Sequence, residues 1–313
     1  MDKEEDFIGI DLFGEKVYKQ SSLRDRFIEP PFSVLDSKGG NWQKQKRKWK
    51  ELGIKSELGR DGTRGGTRSD LQRYRKQSQG PQIYDTDYSI FDPVLTQLIY
   101  RWFCPPGGTI LDPFAGGSVR GVVANYLGYS YTGIDLNKKQ IEDNYKQANK
   151  ILPNNSPKWI VGDSEFKLDK LKGNNFDLIF TCPPYFDLEI YSQMIGELSN
   201  MDYIEFSAKY KIIIEKAYNL LKENRFAIFV VGHARDKKYG YYKDLSYLTK
   251  KHFFDMGSKL YNDIVFVEAY GTAALRTKQF VNSRKIIKVH QNVIIFYKGN
   301  TRNIKEIVKK WEI

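Results

Sequence analysis

The sequence predicts a doubly wound α/β domain whose mostly parallel, seven-stranded sheet closes with an antiparallel hairpin. Three observations predict it. Short β-branched or aromatic runs alternate with helical stretches from residue 90 onward, the pattern of a parallel sheet covered on both faces. Three successive strands each end in an aspartate (Asp112, Asp135 and Asp163), so three carboxylates share one sheet edge, where open α/β sheets bind ligands. The last two apolar runs, residues 263–271 and 292–299, have no convincing helix between them and therefore read as a pair.

The elements follow in order. Pro30-Pro31 breaks any helix near the start, and residues 59–66 form a glycine-rich, arginine-containing loop. A short helix fits residues 42–52, with Lys44, Arg47, Lys48 and, just beyond it, Lys55 on several faces. Residues 1–84 thus read as an N-terminal extension ahead of a regular domain over 85–313. Pro93 opens an apolar-periodic helix (Leu95, Leu98, Ile99, Trp102) that stops at Pro105-Pro106-Gly107-Gly108. Strands are expected over 109–114, 131–136, 159–163, 176–182 and 226–232, with helices over 118–127, 138–150 and 204–221. A basic loop carrying Arg276, Lys278, Arg284, Lys285 and Lys288 joins the two closing strands.

Composition narrows the function. The formal charge is +12, and residues 42–80 hold twelve Lys/Arg against four Asp/Glu. That local excess attracts polyanions, and Trp42, Trp49 and Tyr74 among the charges offer rings on which bases can stack. The plainer alternative is a solvated linker. With two cysteines, Cys104 and Cys182, and three histidines, neither a disulfide framework nor a metal cluster is expected. No apolar run reaches the length of a membrane span. The acidic start lacks a secretory pattern, so a cytoplasmic protein is expected.

Two segments carry chemistry. Asp112-Pro113-Phe114-Ala115-Gly116-Gly117-Ser118 leaves a strand and enters a helix. The glycines allow close backbone approach, the helix start offers free N–H groups, and the aspartate favours an amino-bearing ligand over a pyrophosphate. About twenty residues later Asp135-Leu136 is placed for ribose hydroxyls, and Asp163-Ser164 for an adenine amino group. The second segment is Thr181-Cys182-Pro183-Pro184-Tyr185, after an apolar strand. Its prolines cannot extend a ladder, and Tyr185 can stack on a flat ring.

These segments resemble the amino-methyltransferases that act on nucleic-acid bases, whose cofactor motif is typically Asp-Pro-Phe-x-Gly-Ser-Gly. Here Gly117-Ser118 stand in reverse order and Val119 replaces a common threonine. Tyr88-Ser89-Ile90-Phe91-Asp92-Pro93 resembles the family segment that closes over the methionine end of the cofactor. The resemblance covers about residues 83–299. It implies a methyltransferase domain over 85–313 that uses S-adenosyl-L-methionine and acts on double-stranded DNA, as restriction-modification or phage-type enzymes do. The basic extension and the basic loop would grip the duplex. Phe91, Asp112, Pro113, Phe114, Ala115, Gly116, Gly117, Ser118, Asp135, Leu136, Asp163 and Ser164 would hold the cofactor. Cys182, Pro183, Pro184 and Tyr185 would hold a flipped base and present cytosine N4 or adenine N6.

The family has Asp, Asn or Ser where this chain has Cys182. A thiol accepts hydrogen bonds poorly, and cysteine is the sulfur analogue of the serine associated with cytosine N4 chemistry. The alternative is a Cys182 thiolate attacking a pyrimidine to activate C5, with Glu189 as proton donor; Glu189 otherwise simply charges the start of the next helix. An RNA base methyltransferase and a non-catalytic DNA-binding protein are the other readings. His233 and His290 lie at the functional edge, where backbone hydrogen bonding competes with substrate contact, and His252 carries no argument.

Overall fold

The five parallel strands expected from the sequence all form, and the order of the strands decides where the site lies. The computed structural model describes residues 7–10, 16–18, 27–54, 91–152, 154–173, 175–185, 198, 201–236, 239–268 and 273–311. The chain divides into two compact units, Met1–Phe32 with Ile313, and Ser33–Glu312. The first contains an antiparallel hairpin of β1 (Phe7–Ile10) and β2 (Lys16–Tyr18).

In the second unit, eight strands form one sheet. They are β3 (Val34–Asp36), β4 (Thr109–Asp112), β5 (Ser130–Asp135), β6 (Lys158–Val161), β7 (Phe176–Thr181), β8 (Leu221–Val231), β11 (Lys259–Val267) and β12 (His290–Lys298). Their order is β3-β11-β12-β8-β7-β4-β5-β6. The pairs from β8 through β6 are parallel, and β12 runs antiparallel to both β8 and β11. Two short strands, β9 (Ala234–Arg235) and β10 (Tyr242–Lys243), make a separate hairpin just after β8. The doubly wound sheet with a terminal antiparallel pair is therefore present, with eight strands rather than the expected seven.

The helices are α1 (Gly40–Glu51), α2 (Pro93–Phe103), α3 (Val119–Tyr126), α4 (Lys138–Ile151), α5 (Ser164–Lys167), α6 (Tyr203–Asn219), α7 (Leu245–Asp255), α8 (Lys278–Ser283) and α9 (Ile304–Val308). Alternation along the strands sends side chains to two faces. On one, Tyr100 of α2 meets Phe180 of β7, and Tyr145 of α4 meets Trp159 of β6. On the other, Leu111, Ile134, Ile179 and Phe296 pack with Phe206, Tyr210 and Ile213 of α6 and Phe253 of α7. Asp202 caps α6 in a reciprocal capping box with Glu205, which fixes where that helix begins.

Three expectations change. The extension was expected to end at residue 84, but β3 pairs in parallel with the edge strand β11, Val34 opposite Val265 and Asp36 opposite Val267. Residues 33–54 thus belong to the sheet's own unit. Trp42 and Trp49 do not offer their rings to bases: both are buried, Trp42 against Phe266 and Trp49 against Tyr126. They stand seven residues apart, two helical turns, so a single face of α1 buries both. Between β11 and β12, where no helix was expected, lie the turn Ala274–Arg276 and the short α8, ended by Arg284 in the left-handed region at φ 54°. Tyr74, Lys55, the 59–66 loop, Tyr88-Ser89-Ile90 and Glu189 lie outside the described residues.

Candidate active site

The strands β4, β5, β6 and β7 end on one edge, and their terminal residues form the floor of the site. Asp112 is fully buried, and four protein donors share its two oxygens. Oδ1 accepts from Thr181 Oγ1 at 2.6 Å and from the Phe114 N–H at 3.2 Å. Oδ2 accepts from Arg120 Nε at 2.6 Å and Tyr131 OH at 2.7 Å. Expected to face an amino-bearing ligand, Asp112 instead ties β4, β5, β7 and α3 together beneath the glycine turn.

Arg120 completes this lock. Its Nη2 donates to the carbonyls of Phe114 and Ala115 at 2.6 and 2.9 Å, and its guanidinium lies 4.5 Å from the Phe91 ring centroid. Burial opposes the Arg120 charge, but Asp112 beside it holds the group above its ordinary range. Burial, and then Asp112, also raise the Tyr131 hydroxyl, so it stays a donor. Removing one partner of such a buried pair costs about 3–5 kcal/mol. Sequence reasoning passed over Arg120. The available signal was a lone arginine in a helix otherwise lined by Val119, Val122, Val123 and Ala124, a residue that is seldom buried without an acidic partner.

The glycine turn is braced from below and open above. Gly116 has φ +53°, and a Cβ there would meet nothing within 4 Å. Its N–H donates to Asp135 Oδ2 at 2.9 Å, and its carbonyl accepts from Asn144 of α4 at 2.8 Å. Ser118 Oγ donates to Gln147 at 2.7 Å. Asp135 also accepts from the Asn137 N–H at 2.8 Å and remains part-exposed, with Leu136 half-buried beside it. Asp163 caps α5 by accepting from the Glu165 N–H, and Lys209 of α6 pairs with its other oxygen. Ser164 Oγ donates to the Pro113 carbonyl, which links the third acidic strand end to the first motif. The structure thus gathers all three aspartates at one edge, with Asp135 and Asp163 part-exposed and Asp112 enclosed.

The second segment lies beside this floor. Thr181 is enclosed with Asp112, and Cys182-Pro183-Pro184-Tyr185 follow without regular structure. The Cys182 Sγ is 3.8 Å from Tyr185 OH. Burial pushes the thiol up to about 11, against the lowering influence of Arg120 and of the Tyr185 contact. Tyr185 lies on Gly232, just past β8: a Cβ at Gly232 would sit 3.2 Å from the ring carbon Cζ. Phe91 packs edge-on to Phe180 at 5.7 Å and forms the wall facing Arg120. Glu268, after β11, accepts from Gln291 at 3.0 Å; burial raises its carboxyl, and so does Asp92, while Lys46 and Lys288 oppose the shift. Gly232 and Glu268 escaped the sequence reading because each follows a strand with no motif around it. His233 sits 3.0 Å from the Asp244 carboxylate, and His252 is buried in contact with Tyr210.

A family model described as DNA methylase, of the N6/N4 type, matches residues 26–147 and 176–312. The chain belongs to the DNA methylase family. Its methyl donor is accordingly S-adenosyl-L-methionine. A release factor glutamine methyltransferase of Fusobacterium nucleatum is 31% identical over 175 residues, covering 52% of this chain. The chain spans about half of that relative's length, 47%. Among solved structures it is similar to TrmN from Thermus thermophilus, with 18% identity, TM-score 0.46, and 66% and 49% of the two chains covered. Another is magnesium protoporphyrin IX methyltransferase from Synechocystis with bound donor, with 13% identity, TM-score 0.43, and 75% and 92% covered. The methylase floor fits its donor: an open glycine turn with a part-exposed carboxylate on each of the next two strand ends. No helix among the described residues is long and apolar enough to cross a membrane.

Proposed function

We propose that this methylase transfers a methyl group to an exocyclic amine of a base in double-stranded DNA, cytosine N4 or adenine N6. The observation that carries this reading is the place of Cys182-Pro183-Pro184-Tyr185, at the end of β7 where Thr181 joins Asp112 beneath the open glycine turn, in a chain that matches the N6/N4 DNA methylases; the protonation of Cys182 agrees with it. Attack on a pyrimidine ring requires a thiolate, whereas this thiol is pushed up to about 11 and stays protonated near neutrality. A neutral thiol acts as a serine would, as a small polar wall of the pocket. The curated relative is named for glutamine, whose side chain also ends in a planar NH2, so a nitrogen acceptor suits both.

In this reading the Gly116-Gly117 turn, Asp135 and Asp163 hold the donor, and Asp112 keeps the floor rigid through Arg120. The donor supplies an electrophilic methyl on a sulfonium. The flipped base stacks on Tyr185, and Cys182 with the two prolines aligns its amine with that methyl. A new nitrogen–carbon bond forms as the sulfur–carbon bond breaks, and the amine proton leaves to solvent. Position and water exclusion, rather than covalent chemistry, supply the acceleration.

The test is nucleoside mass spectrometry of DNA from cells expressing the protein, with Cys182→Ser alongside. The expected product is an N4- or N6-methylated nucleoside, and the serine variant retains turnover within about tenfold. A folded serine variant without any turnover, or a C5-methylated product, would replace this reading by the covalent one.

A further inference from the structure

A rigid aromatic platform stands beside the base pocket. Tyr185 rests on Gly232, and the next residue, His233, has its ring 5.6 Å from Tyr242. Tyr242 belongs to the β9–β10 hairpin, opposite Arg235. The Arg235 guanidinium lies 3.8 Å from the Tyr242 ring centroid and donates to the carbonyls of Gly240 and Ile286 at 3.0 and 3.5 Å. A continuous set of contacts therefore runs from the pocket to the hairpin and on to the basic loop before β12.

The hairpin tip is built to hold its shape. Asp236 accepts from the N–H groups of Tyr239 (through its side chain, 2.7 Å) and Gly240 (through its carbonyl, 2.8 Å). Lys243 pairs with Asp236 at 3.2 Å, and Gly240 takes φ +76°. Lys285 lies so close over Gly240 that a Cβ there would be 2.6 Å from its Nζ. This turn sets Tyr239 and Tyr241 parallel, centroids 5.9 Å apart at 11°, with the residues 65% and 58% exposed.

Two parallel, exposed rings offer a face on which a flat base can stack, and the charge nearby favours that occupant. Residues 271–291 contain Arg276, Lys278, Arg284, Lys285 and Lys288 and no Asp or Glu. Lys285 over Gly240 and Arg235 on Tyr242 place positive charge beside the ring pair, which matches a sugar-phosphate backbone with an unstacked base. Resting on the base-methylation reading above, we propose that the Tyr239–Tyr241 platform binds the nucleic-acid strand next to the target base. A neighbouring base left unstacked when the target flips out lies on the tyrosine face, and the basic loop holds the phosphates.

The test is equilibrium binding of the full chain, by fluorescence anisotropy, to a short mixed-sequence DNA duplex with one central mismatch. Tyr239→Ala/Tyr241→Ala is expected to lose about tenfold in affinity, the size of one base–aromatic stack. Tyr239→Phe/Tyr241→Phe keeps the stack and the affinity, and Lys285→Ala lowers the salt slope by about one. Binding of S-adenosylhomocysteine stays unchanged throughout, since none of these residues lines the cofactor floor. Wild-type affinity in the alanine pair would overturn the proposal, as would tyrosine-dependent binding to anionic phospholipid vesicles in place of DNA. A chain that binds S-adenosylhomocysteine but no DNA would overturn the base-methylation reading and the platform together; loss of the platform alone leaves that reading standing.

Discussion

Gly232 shows how a residue without functional groups can set a pocket. Tyr185 packs against it, and an added Cβ would come within 3.2–3.4 Å of two ring carbons and the hydroxyl oxygen, tighter than ordinary contact. Gly232→Ala should therefore push the ring off its place while leaving the cofactor floor intact. The expected result is a fall in kcat of up to about 10²-fold with S-adenosylhomocysteine affinity unchanged, measured by single-turnover kinetics and calorimetry. Sequence reasoning located Tyr185 because a proline-proline-tyrosine motif is local. It overlooked Gly232 and Glu268 because their importance arises from strands 40 to 90 residues away. Asp112 gives the complementary lesson. Its position at a strand end was legible, but the direction of its side chain depended on Arg120 and Tyr131, whose burial only the packed fold determines.

Among the elements, β3 and α1 were the least legible and alter the architecture most. A strand of three residues has no periodicity to detect, and a helix with five basic residues among twelve looks solvated. What anchors α1 is its pair of tryptophans. Trp42 is 1% exposed and donates from Nε1 to Asp92 at 3.2 Å, and Lys46 pairs with the same carboxylate at 2.8 Å. Asp92 in turn caps α2 by accepting from the Val94 and Leu95 N–H groups, directly after the pocket residue Phe91. Trp42→Ala should then cost about 3–5 kcal/mol, read as a lowered denaturation midpoint in urea. The central strands were legible for the opposite reason: β4, β5 and β7 are short runs of aromatic, β-branched or aliphatic residues set between helices, each closing on a polar residue, and only their end points shifted by a residue or two.

Across the whole molecule, the sheet divides its duties between two edges. The edge at the ends of the parallel strands is polar and carries the site. The other is fastened by Asp177, which accepts from Thr109, Lys222 and Arg225 at 2.9–3.1 Å. Burial works against the Asp177 charge, but Lys222, the Thr109 N–H and Arg225 together hold its carboxyl below the usual range. A depressed carboxylate stabilises the fold fully above its unfolded value, and that contribution disappears as pH falls through the folded one. Asp177→Asn is thus expected to lose about 1.5–3 kcal/mol near neutrality. The gap from wild type should close as pH drops below the ordinary carboxylate range, measured by urea unfolding over a pH series.

The union of α1 with α2 has one more consequence. Ile54 is buried just after α1, and Phe91 is anchored just before α2. Trp42 and Lys46 of α1 hold Asp92, and Phe91 beside it takes its place from that grip, so α1 is in effect a strut for the pocket wall.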